Sequence, residues 1–156
     1  MRRLALVLAA ALGAAVLVPA AGAEVAVNLK VPLEDFVVEV PCANGGAGDV
    51  FELHGDLHVL IAETTSASGG IVSVAHFQPM GVYGIGTSGT VYRGTGVNQG
   101  VDTFTGGAIG STFINNFRII GAGPGNNLLV HDTIHVTLDA NGVVRATVEI
   151  SSVDCR

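Results

Sequence analysis

Two short stretches place histidines where metal chemistry could be done. "VFELHGDLHVL", Val50 to Leu60, carries His54 and His58 with Glu52 and Asp56 interleaved, and "HDTIHV" carries His131 and His135. Imidazole nitrogens and carboxylates are the groups that zinc and copper take as ligands. On a helix, residues four apart share a face one turn apart, and either pair would chelate. On a strand they share a face but lie about 13 Å apart, at about 3.3 Å per residue, so one ion cannot take both. Chelation would then need one histidine from each pair, on neighbouring strands. The elements that carry these residues therefore decide the chemistry.

Those elements read as strands. In "VFELHGDLHVLIA", Phe51, Leu53, Leu57, Val59 and Ile61 alternate with Glu52, His54, Asp56 and His58, the period of a half-buried strand. "DFVVEV", "IVSVAHFQ", "FINNFRII" and "LLVHDTIHV" read similarly, and no amphipathic helical window of useful length interrupts them. Pro79 demotes the end of the "IVSVAHFQ" strand to an edge or a bend. His76 lies between two apolar faces, as a partly buried histidine. Gln99 to Thr112 reads either as a long loop or as a short strand between turns. "GAGPGNN", Gly121 to Asn127, is turn chemistry.

Two hairpins carry a testable register. "DANG" between "HDTIHVTL" and "VVRATVEIS" suits a three-residue loop, Ala140–Asn141–Gly142, with Gly142 left-handed. That loop sets Thr137 opposite Arg145 and His135 opposite Thr147, so polar faces match. In "GVYGIGTSGTVYRGTG" a tip at Ser88–Gly89 pairs Thr87 with Thr90 and sets Ile85 opposite Tyr92. The many glycines of that hairpin favour strong coiling, and so a closed or nearly closed barrel over a flat sandwich.

The N-terminus sets the expected compartment. Arg2 and Arg3, the apolar run "LALVLAAALGAAVLV" and the small-residue triplet Ala21–Gly22–Ala23 form the pattern of a cleaved signal peptide over residues 1–23. Sec export to a secreted or periplasmic location is expected. Removing 23 residues from 156 leaves 133, residues 24–156, enough for one domain. All thirteen acids but only five bases remain, a net charge of −8 with histidines neutral. No basic stripe survives to neutralise phosphates, which argues against nucleic acid and anionic membrane surfaces as partners; no membrane span is expected after cleavage. Cys42 and Cys155 are the two cysteines. In an exported chain they are expected to form a disulfide.

Covalent catalysis finds no support in these residues. Ser88 in "GTSG" lacks the G-x-S-x-G elbow, and His131 and Asp132, adjacent on a strand, point to opposite faces. Glu52 and Asp56 are too far apart on one strand to act as a retaining glycosidase couple. "GAGPG" precedes a strand rather than the helix N-terminus that makes such loops bind phosphate. The chain has no tryptophan, on which the motifs of lipocalins and avidins rest.

The "VPC" segment, the "V-x-L-x-G-x-L-H" pattern at Val50 to His58 (shifted by one insertion) and the glycine-rich "GVYGIGTSGTVYRGTG" resemble a loose set of small exported bacterial all-β proteins with no assigned function. The resemblance implies no activity and no site residues. The expectation is an all-β fold, an antiparallel barrel or alternatively a β-sandwich of about eight strands with one disulfide. Its expected role is non-catalytic: a module that binds a small molecule or a protein, with no cofactor. One alternative is zinc or copper binding through His54, His58, His131 and His135 across strands. Another is an envelope structural protein.

Overall fold

The computed structural model describes residues 23–156, so the expected signal segment lies outside them except for Ala23. Ten strands follow in chain order: β1 (Ala23–Pro32), β2 (Phe36–Val40), β3 (Asp49–Thr65), β4 (Ile71–Ile85), β5 (Val91–Thr95), β6 (Asn98–Thr105), β7 (Ala108–Asn115), β8 (Arg118–Gly121), β9 (Asn127–Leu138) and β10 (Val144–Cys155). A single helical turn, Ala43–Gly46, sits between β2 and β3. The strands form one antiparallel sheet. The all-β antiparallel expectation is borne out.

The pairings reduce to a simple plan. β1 and β2 both lie along one edge of β3, with Pro32 opposite Asp56 and Phe36 opposite Leu53. β5 and β6 both lie along one edge of β4, with Tyr83 opposite Arg93 and Phe77 opposite Asn98. β8 and β7 continue the same line beside them, and both then pair with β9. The ten strands are thus seven long segments in an up-and-down meander, three of them broken, at Leu33–Asp35, Gly96–Val97 and Asn116–Phe117. Around the last two breaks the pairing runs in a circuit, β4–β5–β8–β9–β7–β6 and back to β4.

Closure is partial. β1/β2 and β10 are the edge segments, and among the described residues no ladder joins them. What joins them is covalent: Cys42, just after β2, is disulfide-bonded to Cys155 at the end of β10, with Cα atoms 6.0 Å apart. The core lies at this tied end. Val40, Phe51, Leu53, Val82, Tyr92, Ile119 and Leu128 are buried there, one or two from each neighbouring strand. Strand alternation carries the same inner face toward the other end of the sheet. There Ile71, Phe104, Phe113 and Ile134 remain exposed. That half has one layer where a packed domain has two.

Glycines let the tied end close. Phe51 and Tyr92 stack with ring centroids 4.3 Å apart and planes 8° apart. They lean together from β3 and β5 over Gly84 of β4, where an added Cβ would lie 2.3 Å from the Phe51 ring.

The turns correct several expectations. The loop after β9 forms with three residues, Asp139 N–H donating to Val143 O at 2.9 Å and Gly142 at φ 76°. The expected face matching fails, because a bulge between Val144 and Ala146 sets Thr137 opposite Ala146 and His135 opposite Val148. Arg145 occupies the bulge and its Nε donates to Asp139 Oδ2 at 2.9 Å. Burial does not enforce the register here, since β10 is exposed almost throughout. The Ser88 hairpin also uses three loop residues rather than two. Gly86 N–H donates to Thr90 O, Gly89 has φ 83°, and Tyr92 opposes Gly84 instead of Ile85. Pro79 does not end its strand; it lies inside β4, opposite Leu57 and in the gap between the β6 and β5 ladders, and the register shifts by one residue just beyond it, between Met80 and Tyr83. Gln99 to Thr112 is the greater part of two strands, β6 and β7, joined at Gly106–Gly107.

Candidate functional site

The histidines do not converge. β3 is flanked by β1, β2 and β4, and β9 by β7, β8 and β10, so His54 and His58 are not brought beside His131 and His135. Phe51, Leu53 and Leu57 face inward on β3, and Leu128 and Val130 face inward on β9. Alternation therefore puts all four histidines on the outer face. Each is occupied locally. His58 Nε2 lies 2.8 Å from Asn28 Oδ1, and His131 Nδ1 lies 2.6 Å from Asn116 Oδ1. His135 bonds Thr112 and Thr137, and His54 lies against the Tyr83 ring. Among the described residues no group of three or more His, Cys, Asp or Glu could hold a metal ion. His76 is half-buried, between Leu60 and Gln99.

The tied end carries a buried carboxylate that residue spacing does not reveal. Asp49, the first residue of β3, is buried. Its Oδ1 accepts from the backbone N–H and the hydroxyl of Thr87, both at 2.8 Å, and its Oδ2 from Ser88 Oγ at 2.8 Å and the Tyr92 hydroxyl at 3.1 Å. Burial works against the charge, but the donors from Ser88, Thr87 and Tyr92 outweigh it and hold the carboxyl far below the ordinary carboxylate range. Burial, and then the facing carboxylate, push the Tyr92 phenol upward. The Val50 N–H is a fifth donor, to Oδ1 at 3.0 Å, and with these five Asp49 pins the β4–β5 loop to the start of β3. It is a structural anchor.

Beside the core the inner face opens into a groove of about 370 Å³ between β2 and β9. Leu53, Leu57, Leu128 and Val130 line it, and Phe36 and Phe117 face each other edge-on with centroids 6.4 Å apart. Phe36 is 49% exposed. Asn98 and Asn115 line its end toward the open half of the sheet, and Glu39 is its one charged lining residue. Next to them Asn115 Nδ2 donates to Asp132 Oδ2 at 3.1 Å and Ser151 Oγ to Asp132 Oδ1 at 2.5 Å. Asn98, Asn115, Asp132 and Ser151 thus form one polar row across β6, β7, β9 and β10. The row separates the tied-end core from the apolar face beyond it.

The sequence reading named neither the groove nor Asp49. One signal for the row was present: "INNF" breaks the apolar alternation of its strand with two amides, where β7 gives way to β8. Comparison with family models, with curated proteins and with solved structures finds no match to this chain.

Proposed function

We propose that this protein is a non-catalytic binding module that takes an apolar ligand in the groove between β2 and β9. The observation that carries the reading is the groove itself, a concave apolar surface continuous with the core and walled by a half-exposed Phe36 against Phe117. Its volume is within the range of ligand sites, about 300–1,000 Å³, and its two amides, Asn98 and Asn115, stand together at one end. Exposed aromatic side chains leave apolar area to be covered on binding. Fully burying a phenylalanine side chain is worth about 1.5–3 kcal/mol, so the half of Phe36 still facing water is worth about 1 kcal/mol to a ligand that covers it.

The test is a fluorescence titration with the neutral probe N-phenyl-1-naphthylamine. Saturable binding by the oxidised protein is expected, weakened about fivefold in Phe36→Ser, which removes a wall of the groove and no buried core residue. Absence of saturable binding, or equal affinity in Phe36→Ser, would refute the reading.

A further inference from the structure

The charge around the groove is one-sided. Asp132 stands beside Asn115 at its polar end, while Glu39 borders it from β2 with its side chain turned outward, since the neighbouring Val40 is buried on the inner face. Among the described residues no arginine or lysine lines the groove. Among the described residues the ion pairs are Lys30–Asp56, Arg145–Asp139 and Arg156–Asp154, so neither Glu39 nor Asp132 has a basic partner. Arg93 and Arg118 fall on the outer face, because their neighbours Tyr92 and Ile119 are buried on the inner one. Asp132 is held in place by two donors, Asn115 and Ser151, one on each oxygen. Each carboxylate oxygen can accept a second hydrogen bond. The arrangement is an apolar slot ending at an oriented carboxylate without a counter-ion.

Resting on the reading above, we infer that the ligand of this groove is a cationic amphiphile. Its apolar chain lies between Phe36 and Phe117, and its ammonium group donates to Asp132 beside Asn98 and Asn115. A neutral amphiphile of the same length gains the apolar contacts but not the charge-assisted bond, and an anionic one is repelled by the Asp132 carboxylate.

The experiment compares decylammonium, decanol and decyl sulfate, each below its micelle concentration, by displacement of N-phenyl-1-naphthylamine at neutral pH. Decylammonium is expected to displace the probe at about tenfold lower concentration than decanol, with decyl sulfate weaker than both. The preference should shrink as salt rises, since the carboxylate is partly open to water. In Asp132→Asn the preference for the amine should fall to about twofold or less while decanol affinity is unchanged. Asp102→Asn should keep it, because Asp102 lies four residues, about 13 Å, along β6 from Asn98, whereas Asp132 touches the lining residue Asn115. Equal displacement by amine and alcohol in the wild type would overturn the inference and leave the binding reading standing. So would equal losses in the two variants, since net charge alone would then explain the preference. If the probe itself does not bind, the binding reading falls first. If Asp132→Asn does not fold, the salt dependence and the Asp102→Asn comparison decide the matter.

Discussion

Replacing Asp49 tests whether one buried carboxylate organises the tied end of the sheet. Asp49→Ala removes the acceptor of five hydrogen bonds from four residues, Val50, Thr87, Ser88 and Tyr92. The Tyr92 hydroxyl, on a fully buried side chain, is left without that partner, at a cost of about 1–3 kcal/mol. Val50, Thr87 and Ser88 are exposed and can turn to water, so their four bonds return only their net worth, about 0.5–1.5 kcal/mol each. The total is about 3–9 kcal/mol, a midpoint shift on the order of 10 °C or more for a domain of this size. Asp49→Asn should cost less, about 1–3 kcal/mol, because the Ser88 and Tyr92 hydroxyls can reverse and accept from the new amide. The pH dependence separates charge from shape. A carboxyl whose folded pKa is depressed stabilises above the unfolded value, near 4, and loses that contribution as pH falls through the lower folded value. Wild type should therefore hold its midpoint from pH 7 to about 5 and decline below about 4, while Asp49→Asn should lack the larger part of that decline. Thermal melts by far-UV circular dichroism from pH 2 to 8 measure both effects. Parallel acid limbs in the two proteins, or an Asp49→Ala shift under about 3 °C, would refute this account of the loop.

Other expectations follow from features already described. The Cys42–Cys155 link spans 113 residues, so replacing both cysteines by serine should cost about 4–5 kcal/mol in the chain-entropy model, read as a lower denaturant midpoint. Gly84→Ala forces a methyl into the Phe51 ring and toward the Glu52 carbonyl; a loss of about 1–3 kcal/mol is expected, with a changed near-UV signal from Tyr92. Tyr92 has a raised pKa, so stability should fall as pH rises from about 10 through the folded value, and Tyr92→Phe should remove that alkaline limb. Chelator or excess zinc should leave the melting midpoint unchanged, because the two histidine pairs lie on strands that are not neighbours.

The strand content and the turn chemistry were legible in the residues because both are local properties. Alternation in "VFELHGDLHVLIA" located β3, and Gly142 located a three-residue loop. Register was less legible. It followed face matching only where a face is buried, and β10 buries neither, so a bulge at Arg145 could reverse the expected pairing. The Ser88 hairpin was misread by one residue because its loop is set partly by Asp49, 38 residues away from Thr87. A carboxylate gripped by a distant loop leaves no spacing signal. The polar row is hidden for a related reason: Asn98, Asn115, Asp132 and Ser151 are each unremarkable on their own strand and become neighbours only through a strand order the sequence does not state. The separation of the histidines is equally a matter of strand order.

Because the seven segments are laid down in sequence order, each can pair with the one made just before it, and no strand waits for a partner still to come. Sheet growth can therefore keep pace with chain elongation, as hairpins adding one after another at low entropic cost. The disulfide is the exception. Cys42 precedes β3 and Cys155 closes β10, so the thiol of Cys42 stays unmatched until every other segment exists. Its oxidation marks completion: a chain stalled or clipped anywhere before β10 carries an unpaired thiol at the tied end, and a thiol-directed quality-control system could recognise it by that mark alone.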